Sequence, residues 1–518
     1  MGILNRQKND LPLMLSGVPA ALLLMVILLI AGVILAYGVS YFWPQPLYEV
    51  RYEQGGTTQS VFAKVQSRDY RSSEEHSHWV MSGALLEQFG AQQYIVESRR
   101  IIDARRPPEL TDILLRNGNR LYAKLLAGYQ GPQRLSVEQL PELLNKVSAR
   151  VRQVEDLKQD QLGPIHQQLA QMERRGVAQE APARQKLAQR FAELQEQIQR
   201  KERALAEFRL SLMGADGREF SLPLASVDDY WLLNRLDVLD KFQVFLTRLW
   251  HFVSEGPKSS NDTGGVFPAL FGTVVMVLLM TVLVTPLGVI AALYLSEYAP
   301  DNGLTSLIRI GVNNLAGVPS IVYGVFGLGF WVYIVGGQID EWLFSDHLPA
   351  PTFGAPGLFW ASLTMAMLTL PVVIVATEEG LRRVPKSLRH GSFALGATKF
   401  ETIWNTVLPM ASPGIMTGMI LAIARGAGEV APLLLVGAVK FAPSLPVDGE
   451  FPYLHLDRQF MHLGVLIYDG AFHSNHFAQS GSMMFATCLL LLLIVVVLNV
   501  AAILVRARLR ARYQALIR

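Results

Sequence analysis

Two ionisable residues, Arg425 and Glu429, stand four apart in a run that is otherwise uncharged from residue 402 to 439. An arginine in an apolar span costs ~2.5 kcal/mol or more to insert, so it faces a bundle interior or a watery path. Its planar fork of N–H donors matches the oxygens of a tetrahedral anion. A glutamate four residues on shares its helical face. It pairs with the guanidinium when no anion is bound and weakens the hold enough for an anion to leave. A structural Arg–Glu lock is the plainer alternative. Arg425 is expected about fifteen residues into its span, near the bilayer midplane. Asn313 and Asn314 are further candidate pore groups, with helix-packing hydrogen bonds as their other use.

The elements that must position these groups are membrane helices. Charge-free runs cover residues 11–48, 263–296, 310–339, 348–377 and 477–505. Each exceeds the ~20 residues a helix needs to cross a bilayer. With the interrupted 402–439 run they predict six transmembrane spans. The first is too long for the ~7–15-residue apolar part of a signal peptide, and it ends in Tyr37, Tyr41, Phe42 and Trp43, so it reads as a retained anchor. Pro286 and Pro371 interrupt two spans, and Gly317, Gly324, Gly327 and Gly329 thin a third, which suits helices that rock or pack closely.

Basic residues orient the bundle. Arg506, Arg508, Arg510, Arg512 and Arg518 crowd the tail. Arg382, Arg383, Lys386, Arg389 and Lys399 crowd residues 378–409, whereas residues 340–347 carry only acids. The tail, this loop and the N-terminus are therefore expected in the cytoplasm, and residues 44–262 outside. The resulting division is a cytoplasmic N-terminus (1–12), an anchor helix (13–43), an extracytoplasmic domain (44–262), a five-helix core (263–505) and a basic cytoplasmic tail (506–518).

Composition excludes several classes. The 518-residue chain is 51% hydrophobic and 17% charged, far more apolar than a soluble domain of this size requires. A net charge of +3 is too small to suggest nucleic acid. Cys488, the only cysteine, cannot form an internal disulfide. The sequence has no GxxxxGK[ST], GxSxG, HExxH or CxxC motif, so no cofactor, metal or catalytic residue is expected. Any nucleotide must be bound by another subunit. His76-x-His78 and His473-x-x-His476 are weak metal suggestions.

Within the outer segment, Leu140, Leu144, Val147, Val151 and Val154 follow a 4-3-4-3 spacing. Leu187, Phe191, Leu194, Ile198, Leu205 and Phe208 repeat it after the break RRGVAQEAPA. These heptad patterns predict an antiparallel coiled-coil hairpin over 137–210, kinked or interrupted at Gly163-Pro164. Flanking pieces around Asn117-Gly118 and Asp216-Gly217 read as β-hairpins. The insert is thus a small α+β domain with a helical arm, serving as a spacer or as a docking arm. Residues 236–252 form an amphipathic stretch suited to the outer membrane surface.

Between two spans lies LGATKFETIWNTVLP, residues 395–409. It reads as a helix end, a turn at Gly396, a short helix, and a span started by Pro409. Phe400, Ile403, Trp404 and Val407 give the short helix an apolar face that needs a partner. This segment resembles the cytoplasmic EAA loop of ABC importer permeases, EAA-x3-G-x9-I-x-L-P. Gly396 takes the glycine position and Leu408-Pro409 the final Leu-Pro, but His390-Gly391-Ser392 replaces Glu-Ala-Ala and Thr406 replaces Ile. The stretches NNLAGVPSIVYGVFGLG, GTVVMVLLMTVLVTPLGVIAALYLSEYA and ARGAGEVAPLLLVGA resemble permeases of the bacterial phosphate ABC transporter, PstA-like in particular.

That resemblance implies a mainly α membrane protein with the ABC importer permease fold in a bacterial inner membrane. It implies phosphate transport without enzymatic activity, with ATP hydrolysed elsewhere. It makes Gly396, Ala397, Phe400, Ile403, Trp404, Leu408 and Pro409 the coupling contact with an ATPase, and places Arg425 and Glu429 on the translocation path. Expected partners are a homologous PstC-like permease, PstB-like ATPases, a PstS-like extracytoplasmic phosphate-binding protein and membrane lipid. Another oxyanion, sulfate or molybdate, is the alternative cargo. A membrane-anchored signalling scaffold using the outer coiled coil is the alternative class.

Overall fold

The structure is a computed structural model that describes residues 2–54, 56–69, 78–82, 93–174, 178, 181–258, 264–345, 349–449, 451–473 and 477–517. The chain divides into two compact units. One comprises Met1–Phe42, Leu249–Pro257 and Gly264–Arg518, and the other Trp43–Arg248 with Lys258–Thr263.

The chain begins with helix α1 (Gly2–Phe42), whose apolar stretch meets no charged residue after Asp10. The second unit follows and contains two antiparallel sheets. Strands β1 (Tyr48–Gln54), β2 (Thr57–Asp69), β3 (His78–Ser82), β4 (Gln93–Glu97) and β5 (Ile101–Arg105) form the first, in the order β4-β3-β2-β1-β5. Strands β6 (Leu110–Leu115), β7 (Arg120–Gln130), β8 (Gln133–Leu135), β9 (Phe208–Met213), β10 (Glu219–Pro223) and β11 (Val227–Trp231) form the second, in the order β10-β9-β7-β6-β11 with β8 on β7. The turns at Gly118 (φ 87°) and Gly217 (φ 78°) use the left-handed backbone region that glycine enters without strain. Leu47, Phe62, Leu110, Tyr122 and Leu233 form a buried cluster that includes residues of both sheets.

Between β8 and β9 the chain forms α2 (Leu140–Asp156), a π-helical segment at Leu157–Leu162, α3 (Gly163–Arg174) and α4 (Pro182–Leu205). Irregularity was expected at Gly163-Pro164. It falls one turn earlier, because proline lacks the N–H that would bond back along the helix and residues 157–162 take π spacing. The stripe Leu140, Leu144, Val147, Val151 and Val154 is buried as its periodicity predicts. It shares its core with Ile113, Leu121, Ala123, Leu210 and Leu212 of the second sheet, as well as with Ile198 and Leu205 of α4. The heptad therefore reports a helix packed on a sheet along with a helix packed on a helix. Helix α5 (Val238–Ser254) ends the insert, with Val238, Leu239, Phe242, Leu246 and Trp250 exposed.

The first unit is helical. Its elements are α6 (Phe267–Leu293), α7 (Gly303–Leu315), α8 (Ser320–Phe326), α9 (Gly337–Leu343), α10 (Leu358–Arg382), α11 (Lys386–Ala394), α12 (Lys399–Thr402), α13 (Leu408–Gly428), α14 (Ala431–Val436), α15 (Leu463–Phe472) and α16 (Phe477–Ile517). A two-residue parallel pair joins β12 (Ala438–Val439) to β13 (Phe460–Met461). Six helical stretches among the described residues are long and apolar enough to cross a membrane: Gly17–Phe42, Phe267–Tyr298, Ser320–Leu343, Leu358–Arg382, Lys399–Gly428 and Met483–Arg508. Helices α10 and α13 approach so closely that a Cβ on Gly414 would lie 2.5 Å from the Gly380 Cα. A Cβ on Gly288 of α6 would lie 2.6 Å from a Val373 methyl of α10. Met276, Met280, Leu358, Met365, Leu368, Ala422 and Ala427 are buried where α6, α10 and α13 meet.

Candidate functional site

Arg425 lies near the end of α13, roughly 25 Å along the helix from Leu408. It is therefore farther along its helix than the fifteen-residue expectation placed it. The helix stops at Gly428, and Glu429 takes an extended backbone (φ −80°, ψ 137°). The two residues thus do not share a continuing helical face. Pro432, near the start of α14, lacks the N–H for a bond back to Gly428, and the chain restarts its helix at Ala431. The pairing survives the break: Arg425 Nε and Glu429 Oε1 are 3.7 Å apart, with the side chains 33% and 25% exposed. At that separation the contact is electrostatic, and Arg425 Nε has no hydrogen-bond partner. The guanidinium therefore keeps donor capacity for an anion while a carboxylate stands beside it.

Asn313 and Asn314 sit in the last turn of α7, which ends at Leu315, and both are exposed. The uncharged run 310–339 was expected to be one span. It breaks at Gly317–Pro319, and the candidate span begins at Ser320. Proline at 319 cannot donate into a continuing helix, and glycine beside it lowers the cost of the turn. The two asparagines consequently lie outside the candidate span.

The coupling stretch is built from local rules. Gly396 takes φ +85°, the left-handed turn that ends α11. Thr398 then caps the next helix: the Thr398 N–H donates to Glu401 Oε2 at 2.8 Å, and the Glu401 N–H donates to Thr398 Oγ1 at 3.3 Å. This reciprocal capping box is written as Thr-x-x-Glu in the sequence, a legible local signal for a helix start. From Lys399 the helix runs through a π-helical segment at Ile403–Val407 into α13 without a break. Pro409 was expected to start a separate span. It sits instead at the head of α13 within one continuous rod.

The expected apolar face divides. Ile403 and Val407 are buried at 6% and 1% exposure, while Phe400 and Trp404 are 65% and 61% exposed and stack at 6.1 Å. A three-residue step turns about 60° short of a full turn, so a wide apolar face has an edge toward the bundle and an edge away from it. Gly396 is exposed, and Ala397, Leu408 and Pro409 are half-buried. The Ser392 and Thr402 hydroxyls hydrogen-bond at 2.8 Å, tying α11 to α12.

Five charged residues around the ends of these helices are paired. Arg389 Nη1 lies 3.0 Å from Glu297 Oε1, and Arg389 Nη2 donates to the Leu381 carbonyl at 2.8 Å. Arg309 lies 3.7 Å from Glu378, and Arg382 lies 3.8 Å from it. Arg389 and Glu297 are far apart in sequence, so no local pattern could have joined them. His76 and His476 fall outside the described residues. No group of three or more metal-ligating side chains occurs among the described residues.

The family described as "Binding-protein-dependent transport system inner membrane component" matches residues 284–510. The phosphate transport system permease protein PstA 1 of Mycobacterium tuberculosis (strain CDC 1551 / Oshkosh) is 36% identical over 228 residues, which are 44% of this chain and 68% of that protein. The PstA permease of Yersinia pestis is 34% identical over 259 residues, 50% of this chain and 77% of the relative. A PstC permease of Xylella fastidiosa is 31% identical over 201 residues, 36% of this chain and 61% of the relative. The family match starts after the sheets and helical arm, which are additional to it. The helical unit therefore carries the kinship: this chain belongs to the binding-protein-dependent inner-membrane permeases of ABC importers and is a PstA-like permease subunit rather than an enzyme.

Proposed function

We propose that the chain is a translocation subunit of an ATP-driven phosphate importer. It pairs with a PstC-like permease, receives phosphate from an extracytoplasmic PstS-like binding protein, and couples to PstB-like ATPases through residues 390–409. Arg425 presents donors to the passing anion, and Glu429 competes for them so that the anion is released. Both termini and the 378–409 loop lie in the cytoplasm, and residues 44–262 lie in the periplasm, in keeping with the basic tail and loop.

The observation that carries this reading is the loose Arg425–Glu429 pair at the end of an apolar helix. A buried structural lock would close its hydrogen bonds, whereas here the Arg425 Nε has no such partner. Phosphate enters as the cargo through the PstA relatives. The test is orthophosphate uptake by cells carrying Arg425→Ala, with membrane insertion and abundance verified. The expected result is a loss of at least tenfold, with Arg425→Lys intermediate because a point charge replaces the fork. Uptake at the unsubstituted level rejects the role of Arg425.

A further inference from the structure

Three separate contacts converge on the end of the α6 span, the π-helical segment Tyr294–Tyr298. Arg389 of α11 reaches Glu297, with Nη1 3.0 Å from Oε1. Lys399, the first residue of α12, holds its ammonium 4.6 Å from the Tyr298 ring centroid. Arg309 of α7 donates from Nη2 to the Leu295 carbonyl at 2.6 Å. The first two contacts come from the short helices on either side of Gly396, which the Ser392–Thr402 hydrogen bond ties together. Leu295 is itself buried in a cluster with Ile374 and Leu381 of α10 and with Val407 and Ala411 of the α12–α13 rod. In a close-packed cluster of this kind, a turn of the segment shifts α10 and the rod as well.

The charges here are close without being locked. The Glu297 and Glu378 side chains are only 10% and 13% exposed. Yet Glu297 Oε1, Arg389 Nε, Glu378 Oε1 and Arg309 Nε are all buried with no hydrogen-bond partner. Arg309 Nε and Glu378 Oε1 are 3.7 Å apart, and Arg382 lies 3.8 Å from the same carboxylate. A network of buried charges that serves only to fix a fold closes its hydrogen bonds. Acids and arginines with acceptors and donors to spare can instead trade partners as a helix end turns, so that no buried charge is stranded on the way. A π-helical turn, with its i to i+5 bonding, is a place where a helix takes up such a turn. We propose that Tyr294–Tyr298 is an input joint for α6. Arg389 and Lys399 are its positioning residues, passing a load on α11 and α12 to the end of that span. This rests on the reading of residues 390–409 as the ATPase contact, and it adds where the load leaves that contact.

The test measures radiolabelled orthophosphate uptake by cells beside two properties of the complex purified on the full chain: the ATPase retained and its rate of ATP hydrolysis. Arg389→Gln should lower uptake about fivefold or more while retained ATPase and hydrolysis stay within about twofold. Arg389→Lys, which keeps the charge, should recover part of the loss. Glu297→Gln should match Arg389→Gln, and the double variant should be no worse than the poorer single, because both report one contact. Lys399→Ala should lower uptake about twofold with the same retention, and its exposed side chain keeps the test alive if Arg389→Gln fails to fold. Full uptake in Arg389→Gln and Lys399→Ala overturns the proposal. So does a loss of uptake matched by an equal loss of ATPase or by a lower Tm, or a double variant whose losses multiply. Phe400→Ala with Trp404→Ala, run in parallel, separates the two readings. ATPase retained in that variant rejects the contact at 390–409 and the joint with it. ATPase lost there, with Arg389→Gln and Lys399→Ala still taking up phosphate in full, rejects the joint alone.

Discussion

At Gly396 the backbone adopts φ +85°, yet a Cβ placed there would meet no atom within 4 Å. The need for glycine is therefore conformational. Gly396→Val should cost about 1–2 kcal/mol locally through left-handed strain. Thr398→Ala should cost about 1 kcal/mol by opening the capping box. In both variants hydrogen exchange at the amides of 399–402 should quicken several-fold, with exchange in α10 unchanged. Lys64 supplies a pH prediction. The groups facing it are Asp112 of β6, Arg120 and Tyr122 of β7, and Arg248 of α5. Its folded-state pKa is lowered to about 7 from 10.5, so between those values the unfolded chain holds a proton that the folded chain has released. Stability therefore rises with pH across that window, and the penalty is fully present below pH 7. Asp112 acts at the other end: burial alone would raise its pKa, but Arg120, Lys64 and Arg248 together hold it well below the usual range. Its contribution is present above the ordinary carboxylate pKa and is lost as pH falls through the lowered one. Thermal melts should show Tm rising from pH 7 to 9, and Lys64→Met should flatten that rise. At this scale Arg425 and Glu429 were legible because charge in an apolar run stands out. The Lys64–Asp112–Arg120–Arg248 cluster was not, since its members are ordinary surface residue types drawn together by the packing of β2, β6, β7 and α5.

Among elements, the α12–α13 rod shows how a one-dimensional pattern blurs two uses. Phe400, Ile403, Trp404 and Val407 look equivalent on a helical wheel, yet only the second and fourth are buried. Ile403→Ala should destabilise the helical unit by ~2–4 kcal/mol, read as a lower Tm. Under the proposed function, Phe400→Ala with Trp404→Ala should leave Tm within a degree or two but reduce co-purification of an ATPase subunit severalfold. Equal Tm losses from both substitutions would refute this division. Six apolar stretches were readable from length and charge alone, because a bilayer-crossing helix must be long and uncharged. The break at Gly317–Pro319 was readable too, but apolar continuity masked it. The five-stranded sheet over residues 48–105 is only partly legible: β1, YEVRYEQ, alternates cleanly with Tyr48, Val50 and Tyr52 buried, whereas β5, IIDAR, does not. The α2 stripe shows the converse: its heptad was plain, but periodicity does not say whether the facing partner is a helix or a sheet.

For the molecule as a whole, the division into two units bears on what can be removed. Because α2 shares a core with β6, β7 and β9, excising residues 140–205 should unfold the sheet-bearing unit. Replacing residues 164–186 with a short Gly/Ser turn removes α3 and the start of α4 but keeps Leu194, Ile198 and Leu205. That trimmed chain should fold and, under the proposed function, still take up phosphate. Uptake lost with folding intact would assign the distal arm a direct part in transport.

The uninterrupted helix from Lys399 to Gly428 has a mechanical corollary. The exposed Phe400–Trp404 stack and the Arg425 guanidinium belong to one stiff shaft, separated by roughly 35 Å of rise. Gly380, Gly414 and Gly418 let α10 bear against its middle like a fulcrum. A sideways load on the aromatic end would then swing the arginine end in the opposite direction. The π-helical segment at Ile403–Val407, with its looser bonding, is the place where such a shaft can take up torsion before it tips.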